Sequence, residues 1–283
     1  IYPNLTSAES TEANTLTSFN SDGFSLGSAG LSNSSGDTFA SWNWKAGGTA
    51  SSNTEGTITA SSSVNTDAGF GIATWTGNGT AGANIGHGLN QAPEMFFVKQ
   101  RTGTQDFTCW NKTFTSSEFC DLSSNIGKTS FDVWNTVPDS TKIYFANQAR
   151  CNASGSDYVG YYFHSVKGFS KIGSYTGNGS ADGTFVYTGF KPAFVIIKRT
   201  DSANSWTIRD SKRSTFNVMQ KSLFADLSNA EADSSNYNFD FLSNGFKQKN
   251  ANGIDNASGG EYIYMCFAEN PFVSSTGVPA TAR

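Results

Sequence analysis

The stretch FSKIGSYTGNGSADGTFVYTGFKPAFVIIKR (169–199) decides the fold, because a closely related stretch, FGIATWTGNGTAGANIGHGLNQAPEMFFVKQR (70–101), occurs earlier in the chain. In both copies an aromatic residue and Thr precede Gly-Asn-Gly, a second glycine-rich segment follows, and a proline begins an apolar run. These prolines are Pro93 and Pro192. The sequence therefore predicts a protein built from repeated modules, and its function must lie in the module.

The local pattern within each repeat is typical of β-strands joined by turns. Residues before Gly-Asn-Gly are β-formers, and Gly and Asn accept the positive φ that a tight hairpin needs. We therefore predict a strand, a hairpin turn at Gly-Asn-Gly and two further strands. The alternative, a phosphate-binding loop, would need a helix start and a lysine after the glycines, and neither follows.

The third strand of the repeat is predicted to be central in its sheet. Phe194, Ile196 and Lys198 point to one face, and Val195 and Ile197 point to the other. Because both faces are apolar near the middle of the run, the strand is expected to be buried on both sides.

Composition narrows the class of protein. The chain has 283 residues, 29 of them Gly, with 14% aromatic and only 15% charged residues, against roughly 25% charged in typical soluble domains. Such a surface consists largely of Ser, Thr, Asn and Gly, which suits β-structure exposed outside a cell or packed in an assembly. The net charge of −4 argues against a nucleic-acid partner, and the lack of a long apolar run argues against a membrane helix.

The N-terminal residues align with the second half of the last module. IYPNLTSAESTEANTLTSFNSDGF (1–24) matches LFADLSNAEADSSNYNFDFLSNGF (223–246) without a gap. The numbered chain therefore begins within a module, and we expect it to be the C-terminal part of a longer polypeptide or to lack part of that module. Since 1–44 would expose sheet edges, we expect it to complete a sheet with upstream chain, with the following linker or with another subunit.

A second signature, Asn-x-Ser-Gly, occurs three times, starting at Asn33, Asn152 and Asn256. In each copy an acidic residue follows, and an aromatic strand comes next. The acid either accepts backbone N–H bonds within its turn, which is the preferred interpretation, or ligates a cation.

These patterns predict an all-β fold of tandem antiparallel β-sandwich-like modules, two complete and preceded by the C-terminal half of another. We expect a weak strand at 57–60 inside a linker and a helical turn or two at 218–229. The predicted divisions are a half-module 1–44, a Gly/Ser/Thr linker 45–68, complete modules 69–167 and 168–270, and a tail 271–283.

Residues with catalytic or metal-binding chemistry form no recognisable motif. His87 and His164 occupy non-equivalent positions without a nucleophile motif around them. The four cysteines include no CxxC pair, so no metal or cofactor is predicted; Cys109 and Cys120 either form a disulfide or stay as buried thiols. We therefore predict no catalytic residues and no enzyme activity, although paired carboxylates that meet only in the fold would escape this search.

The repeated motifs resemble a family of modules in tail-fibre and virion-surface proteins of marine tailed phages of the cyanophage and pelagiphage type. The resemblance covers nearly the whole chain. It implies a structural virion appendage on the virion surface, outside the cell. It also implies a homo-oligomer, most often a trimer, that contacts other virion proteins and a host-surface glycan. The motifs that carry it are WTGNGTAG (75–82), YTGNGSADGTFVYTGFKPAFVIIKRTD (175–201), DFLSNGFK (240–247), YIYMCFAENPF (262–272) and GVPATAR (277–283).

Two functions follow as hypotheses: host attachment through a bound glycan, or a purely structural spacer or decoration protein. A polysaccharide depolymerase is less favoured. For attachment, the candidate contacts are Trp75, Asn78, Tyr175 and Asn178, at or beside the Gly-Asn-Gly turns. Trp110, Trp134 and Trp206 offer further flat faces. A binder should expose such rings beside polar loops, whereas a spacer should bury them between modules or subunits.

Overall fold

A computed structural model describes residues 1–269, and nearly all of their regular secondary structure is β-strand. The predicted all-β class is confirmed. The predicted tail, 271–283, lies outside the described residues. None of the helices in the described part is long and apolar enough to cross a membrane.

The N-terminal part forms a two-stranded hairpin that joins no other sheet in the described residues, so the expectation that 1–44 completes a sheet with the following linker is not met. Strand β1 (Leu16–Phe19) pairs with β2 (Phe24–Leu26) in a two-stranded antiparallel sheet, and helix α1 (Gly30–Asn33) follows.

The two repeats then follow in order. The first group of strands is β3 (Ser51–Asn53), β4 (Ala60–Asn65), β5 (Phe70–Thr76), β6 (Ala83–Gly86), β7 (Met95–Gln100), β8 (Thr108–Asn111), β9 (Glu118–Asp121), β10 (Thr129–Ser130), β11 (Lys142–Phe145) and β12 (Asp157–Phe163). The second group is β13 (Ser170–Thr176), β14 (Phe185–Tyr187), β15 (Pro192–Arg199), β16 (Thr207–Asp210), β17 (Lys221–Phe224), β18 (Ala232–Asp233), β19 (Phe239–Leu242), β20 (Gly245–Gln248) and β21 (Glu261–Ala268), with a 3-10 turn at Ser235–Tyr237.

Both repeats share one topology. The first large sheet has the order β10-β9-β8-β7-β12-β5-β4-β3, and the second has β18-β17-β16-β15-β21-β13. Each large sheet is accompanied by a small one, β11-β6 in the first repeat and β14-β20-β19 in the second. The order β10-β9-β8-β7-β12-β5 therefore matches β18-β17-β16-β15-β21-β13, as expected for a tandem duplication. Strands β3 and β4 are additional in the first large sheet, and β19 is additional in the second small sheet.

Each repeat is a two-layer sandwich because one face of its large sheet packs on the small sheet. In the second repeat Val195 and Ile197 of β15 share a core with Val186, Phe239 and Phe246 of the small sheet. The alternation of side chains along β15 places its other apolar residues on the opposite face. The predicted central position of β15 is confirmed, since it pairs with β16 on one side and β21 on the other.

The outer face of each large sheet packs against the other repeat. Phe163 of β12 lies 6.2 Å from Phe267 of β21, and Phe97 of β7 lies 6.1 Å from Trp206, measured between ring centroids. Trp44, from the segment before β3, contacts Phe194 at 5.6 Å in the same layer. A continuous apolar core therefore joins the two large sheets face to face.

The predicted hairpin turn at Gly-Asn-Gly is wrong. Strand β5 pairs with β4 and β12, whereas β6 pairs with β11, so the strands on either side of Gly77–Gly79 do not pair with each other. The loop instead carries the chain from the large sheet to the small sheet. Gly and Asn favour a change of chain direction at this point, but they do not specify which strand the next segment pairs with.

Two further predictions are corrected. The predicted linker 45–68 carries β3 and β4, which extend the first large sheet beyond β5, and the strand lies at 60–65 rather than 57–60. The predicted helical turn at 218–229 is instead strand β17, because Ser222 and Leu223 pair with neighbouring strands. The few apolar residues of 45–68 gave little signal for these strands, because β3 lies at the edge of the sheet and is mostly exposed.

Candidate functional site

The two sequence signatures meet in space, one pair in each repeat. In the first repeat the backbone N–H of Asn78 donates to Oδ1 of Asn152 at 2.9 Å, and the N–H of Gly79 donates to the carbonyl of Asn152 at 3.0 Å. The Asn152 amide nitrogen donates back to the Thr80 carbonyl at 2.9 Å. We call this arrangement, Gly-Asn-Gly against Asn-x-Ser-Gly, the paired loops.

The second repeat forms the same contacts. The N–H of Asn178 donates to Oδ1 of Asn256 at 3.0 Å, and the amide nitrogen of Asn256 lies 2.9 Å from the Ser180 carbonyl. Asn152 and Asn256 are both fully buried. The paired loops therefore clamp the large sheet to the small one, and this role explains why both signatures recur.

Asn78 and Asn178, two predicted glycan contacts, lie at the exposed tips of these loops. Each side-chain Oδ1 caps its own loop, accepting from the N–H of Thr80 at 2.9 Å and of Ser180 at 3.0 Å. Both residues are consequently held by the clamp, with part of each side chain facing solvent.

Of the two predicted aromatic contacts, Trp75 is buried and Tyr175 is half-buried. Trp75 is 4% exposed; its ring stacks 5.0 Å from Phe145, and its Nε1 donates to the carbonyl of Cys151. Tyr175 stacks 4.8 Å from Tyr262, and its hydroxyl donates to the Asp255 carbonyl.

Trp110, Trp134 and Trp206 are buried as well. In each repeat the aromatic before Gly-Asn-Gly points into the sandwich, because it lies on the inward-facing side of β5 or β13.

A polar groove of about 450 Å³ lies at the β3–β4 edge of the first large sheet. Its walls come from Asn53 at the end of β3, from Glu55 and from Ser62 and Ser63 of β4, and Gly88 closes one side. The volume falls within the range typical of small-molecule sites. The groove is therefore a second candidate site.

The polar side-chain groups that line the groove are hydroxyls, one amide and one carboxylate. The Asn53 side chain accepts from the N–H of Glu55 at 3.0 Å, which fixes the turn between them. Ser62 is 6% exposed, and its Oγ is buried close to the Tyr162 hydroxyl, so it is not accessible to a molecule in the groove.

The groove was missed at the sequence level because 45–68 was interpreted as a linker. Its signal was the alternation of Ile58, Ala60 and Val64, which marks a strand with one buried face.

His87 and the four cysteines have structural surroundings rather than catalytic ones. In His87, Nδ1 accepts from the N–H of Leu89 at 3.1 Å, while Nε2 lies 3.1 Å from the Asp139 carbonyl. Burial lowers the pKa of His87. All four cysteines are buried and free, so Cys109 and Cys120, although opposite each other on β8 and β9, form no disulfide.

Metal ligands do not converge in the part of the chain that the structure covers: no group of three or more His, Cys, Asp or Glu residues is placed to hold an ion. Of the turn acids, Asp157 accepts a bond from the Thr76 hydroxyl at 2.7 Å.

The fold and its paired loops define a class of tandem-repeat, all-β sandwich proteins whose repeats pack face to face. Within that class the chain belongs to the family described as a domain of unknown function, DUF7483, which matches residues 1–271. No curated protein and no solved structure matches it.

Proposed function

We propose that this protein is a structural component of a virion appendage of the tail-fibre or spike type, located on the virion surface outside the cell, in which its modules stack as a rigid array. The observation that carries the proposal is that the same contact between neighbouring modules occurs at two junctions along the chain. If every module forms this contact with the next one, further modules can be added to the array in the same way.

The junction centres on a buried lysine in the third strand of each repeat. Lys198 donates to the carbonyl of Asn125 in the preceding repeat at 2.9 Å, and Lys99 donates to the carbonyl of Thr6 in the N-terminal unit at 2.7 Å. Each lysine also donates to a carbonyl six residues further on.

A backbone bond follows in register at both junctions. The N–H of Lys128 donates to the Thr200 carbonyl at 2.6 Å, and the N–H of Glu9 donates to the Arg101 carbonyl at 2.7 Å. Thr6 and Glu9 correspond to Asn125 and Lys128, three residues apart in each case. The same geometry therefore joins the N-terminal unit to the first repeat and the first repeat to the second.

The burial of the aromatic residues supports a structural role. Trp206 is fully buried between the repeats, and its Nε1 donates to the Asp121 carbonyl at 2.8 Å. Rings placed at module interfaces stiffen an array and are unavailable to a ligand. The purely structural spacer or decoration protein is accordingly favoured over attachment through Trp75 or Tyr175.

Homo-oligomerisation, with a trimer as the expected state, belongs to this proposal. The surface carries few charges and several exposed aromatics, including Tyr187 at 64% and Phe39 at 52%. Neither nucleic acid nor membrane is proposed as a partner. The test is native mass measurement of the full-length protein together with immuno-electron microscopy of intact particles. A trimer located on an appendage is expected; a monomer, or absence from the particle, would contradict the proposal.

The polar groove supports a second candidate function, attachment to a host-surface glycan. Sugar hydroxyls would pair with the side chains of Asn53 and Glu55, which line the groove. Glu55 forms no ion pair within residues 1–269, so a neutral or basic sugar fits better than an acidic one.

The experiment for the groove measures retention of the protein on host-surface polysaccharide and release of reducing ends in parallel. Retention that is lost in Glu55→Gln and kept in the exposed control Glu12→Gln is expected, without release. Release that disappears in Glu55→Gln would instead indicate a depolymerase and overturn the non-enzyme proposal. Equal retention of both variants would exclude the groove.

A further inference from the structure

The N-terminal hairpin β1–β2 is the counterpart of β19–β20 in the second repeat. Phe19 pairs with Phe24 across the first hairpin, and Phe241 pairs with Phe246 across the second. The two pairs correspond in the ungapped alignment of the sequence. The hairpin therefore belongs to the same small sheet of the sandwich.

The second hairpin has a strand partner that the first lacks. Strand β20 pairs along its outer edge with β14, with Val186 opposite Phe246. The β1–β2 sheet consists of two strands only in the described chain. The edge of β2 that corresponds to this contact is consequently free, and an unpaired edge is a template for strand addition.

The apolar face of the first hairpin is uncovered as well. Phe19 is 81% exposed, whereas its counterpart Phe241 is 5% exposed. Leu31, on the neighbouring helix α1, is 67% exposed. In the second repeat the equivalent face packs on the large sheet, so the second repeat shows what covers a hairpin of this kind.

The turn that follows is already shaped to hold a Gly-Asn-Gly loop. The amide nitrogen of Asn33 donates to the Gly27 carbonyl at 2.8 Å, as Asn256 donates to the Asn250 carbonyl at 2.8 Å. Asn256 is fully buried against its loop. Asn33 is exposed, and no hydrogen bond from a Gly-Asn-Gly loop reaches it within residues 1–269.

We infer that residues 14–36 form an acceptor surface for a peptide segment that carries aromatic-Thr-Gly-Asn-Gly followed by a β-strand, the first half of a module of this type. The strand adds to the free edge of β2, and its loop binds Asn33. The occupant is a third such segment, because the two in this chain already bind Asn152 and Asn256. The inference concerns recognition between modules and holds whether or not the proposed virion function does.

The test uses the full-length chain and a fluorescent peptide with the sequence of residues 174–188. Saturable binding measured by anisotropy is expected, with slowed amide exchange at residues 23–26. Phe19→Ser and Asn33→Ala should each weaken binding by about tenfold or more, equivalent to ~1.4 kcal/mol, since each removes a contact that the peptide would bury. Phe216→Ser removes an equally exposed ring elsewhere and should leave binding unchanged.

Several outcomes would overturn the inference. Absence of binding would do so, as would equal binding by the Phe19→Ser and Phe216→Ser variants. Slowed exchange at residues 245–248 instead of 23–26 would mean that the peptide exchanges with β14. Concentration-dependent self-association that is abolished by Phe19→Ser would assign the surface to a second copy of the chain.

Discussion

Asn256 shows how much of this fold depends on a single polar side chain. Its amide nitrogen lies within 3.0 Å of acceptors on Asn178, Ser180 and Asn250, and the residue is fully buried. A buried amide with all its bonds formed is stabilising, whereas the partners left behind by its removal pay the full desolvation cost.

Replacing this residue should therefore be costly. Asn256→Ala is expected to lower the free energy of unfolding by about 2–4 kcal/mol, measured by urea denaturation. Asn33→Ala is the matched control, because Asn33 occupies the same turn position but is exposed; its cost should stay below about 1 kcal/mol. Equal losses of unfolding free energy in the two variants would show that the contacts of Asn256 within the paired loops do not account for its stabilising effect.

His87 should make stability depend on pH. Burial lowers its pKa, so on acidification the unfolded chain binds a proton that the folded chain resists. The stability contributed by neutral His87 is complete above the ordinary pKa of about 6.5 and is lost as the pH falls through the lowered folded value.

The measurement compares unfolding free energies of the natural protein and His87→Gln between about pH 8 and about pH 5. The natural protein should lose more stability over this range than the variant does. Parallel curves would mean that His87 does not contribute to the acid sensitivity.

Among the secondary-structure elements, strand β4 provides the clearest test, because a linker tolerates proline whereas an interior sheet strand is destabilised by it. Ser61 lies between Ser52 of β3 and Thr74 of β5 in the sheet register. Ser61→Pro removes a backbone donor inside the ladder and should cost about 2–3 kcal/mol. The exposed control Ser61→Thr keeps the donor and should be neutral. Thermal unfolding distinguishes them, and a harmless proline would restore the linker interpretation.

At the scale of the whole molecule, the face-to-face packing predicts that both repeats unfold together. Trp44 contacts Phe163 of the first repeat at 6.3 Å and Phe267 of the second at 5.4 Å. Trp44→Ala should lower stability by about 2–3 kcal/mol, while Phe216→Ala, at an exposed ring, should have little effect. Calorimetry should give one transition with equal calorimetric and van't Hoff enthalpies. Two separate transitions in the natural protein would contradict the shared core.

By itself the sequence determined those features that depend only on residues close together in the chain. The repeated pattern of 70–101 and 169–199 predicted two equivalent modules, and the alternation along 194–197 predicted a strand buried on both faces. Both follow from the two-residue period of a β-strand, which needs no knowledge of distant residues. For the same reason the all-β class was predictable before any strand pairing was known.

Only the tertiary structure decided which segments meet. The Gly-Asn-Gly loop binds Asn152, 74 residues away from Asn78, and no local pattern specifies a partner at that distance. Whether Trp75 and Tyr175 face a ligand or the core was also undetermined, because a flat apolar ring suits both positions. Long-range packing decides this: it buries Trp75 and leaves Tyr175 half-buried. It also places the polar groove at the sheet edge formed by 45–68, which the sequence predicts to be a linker.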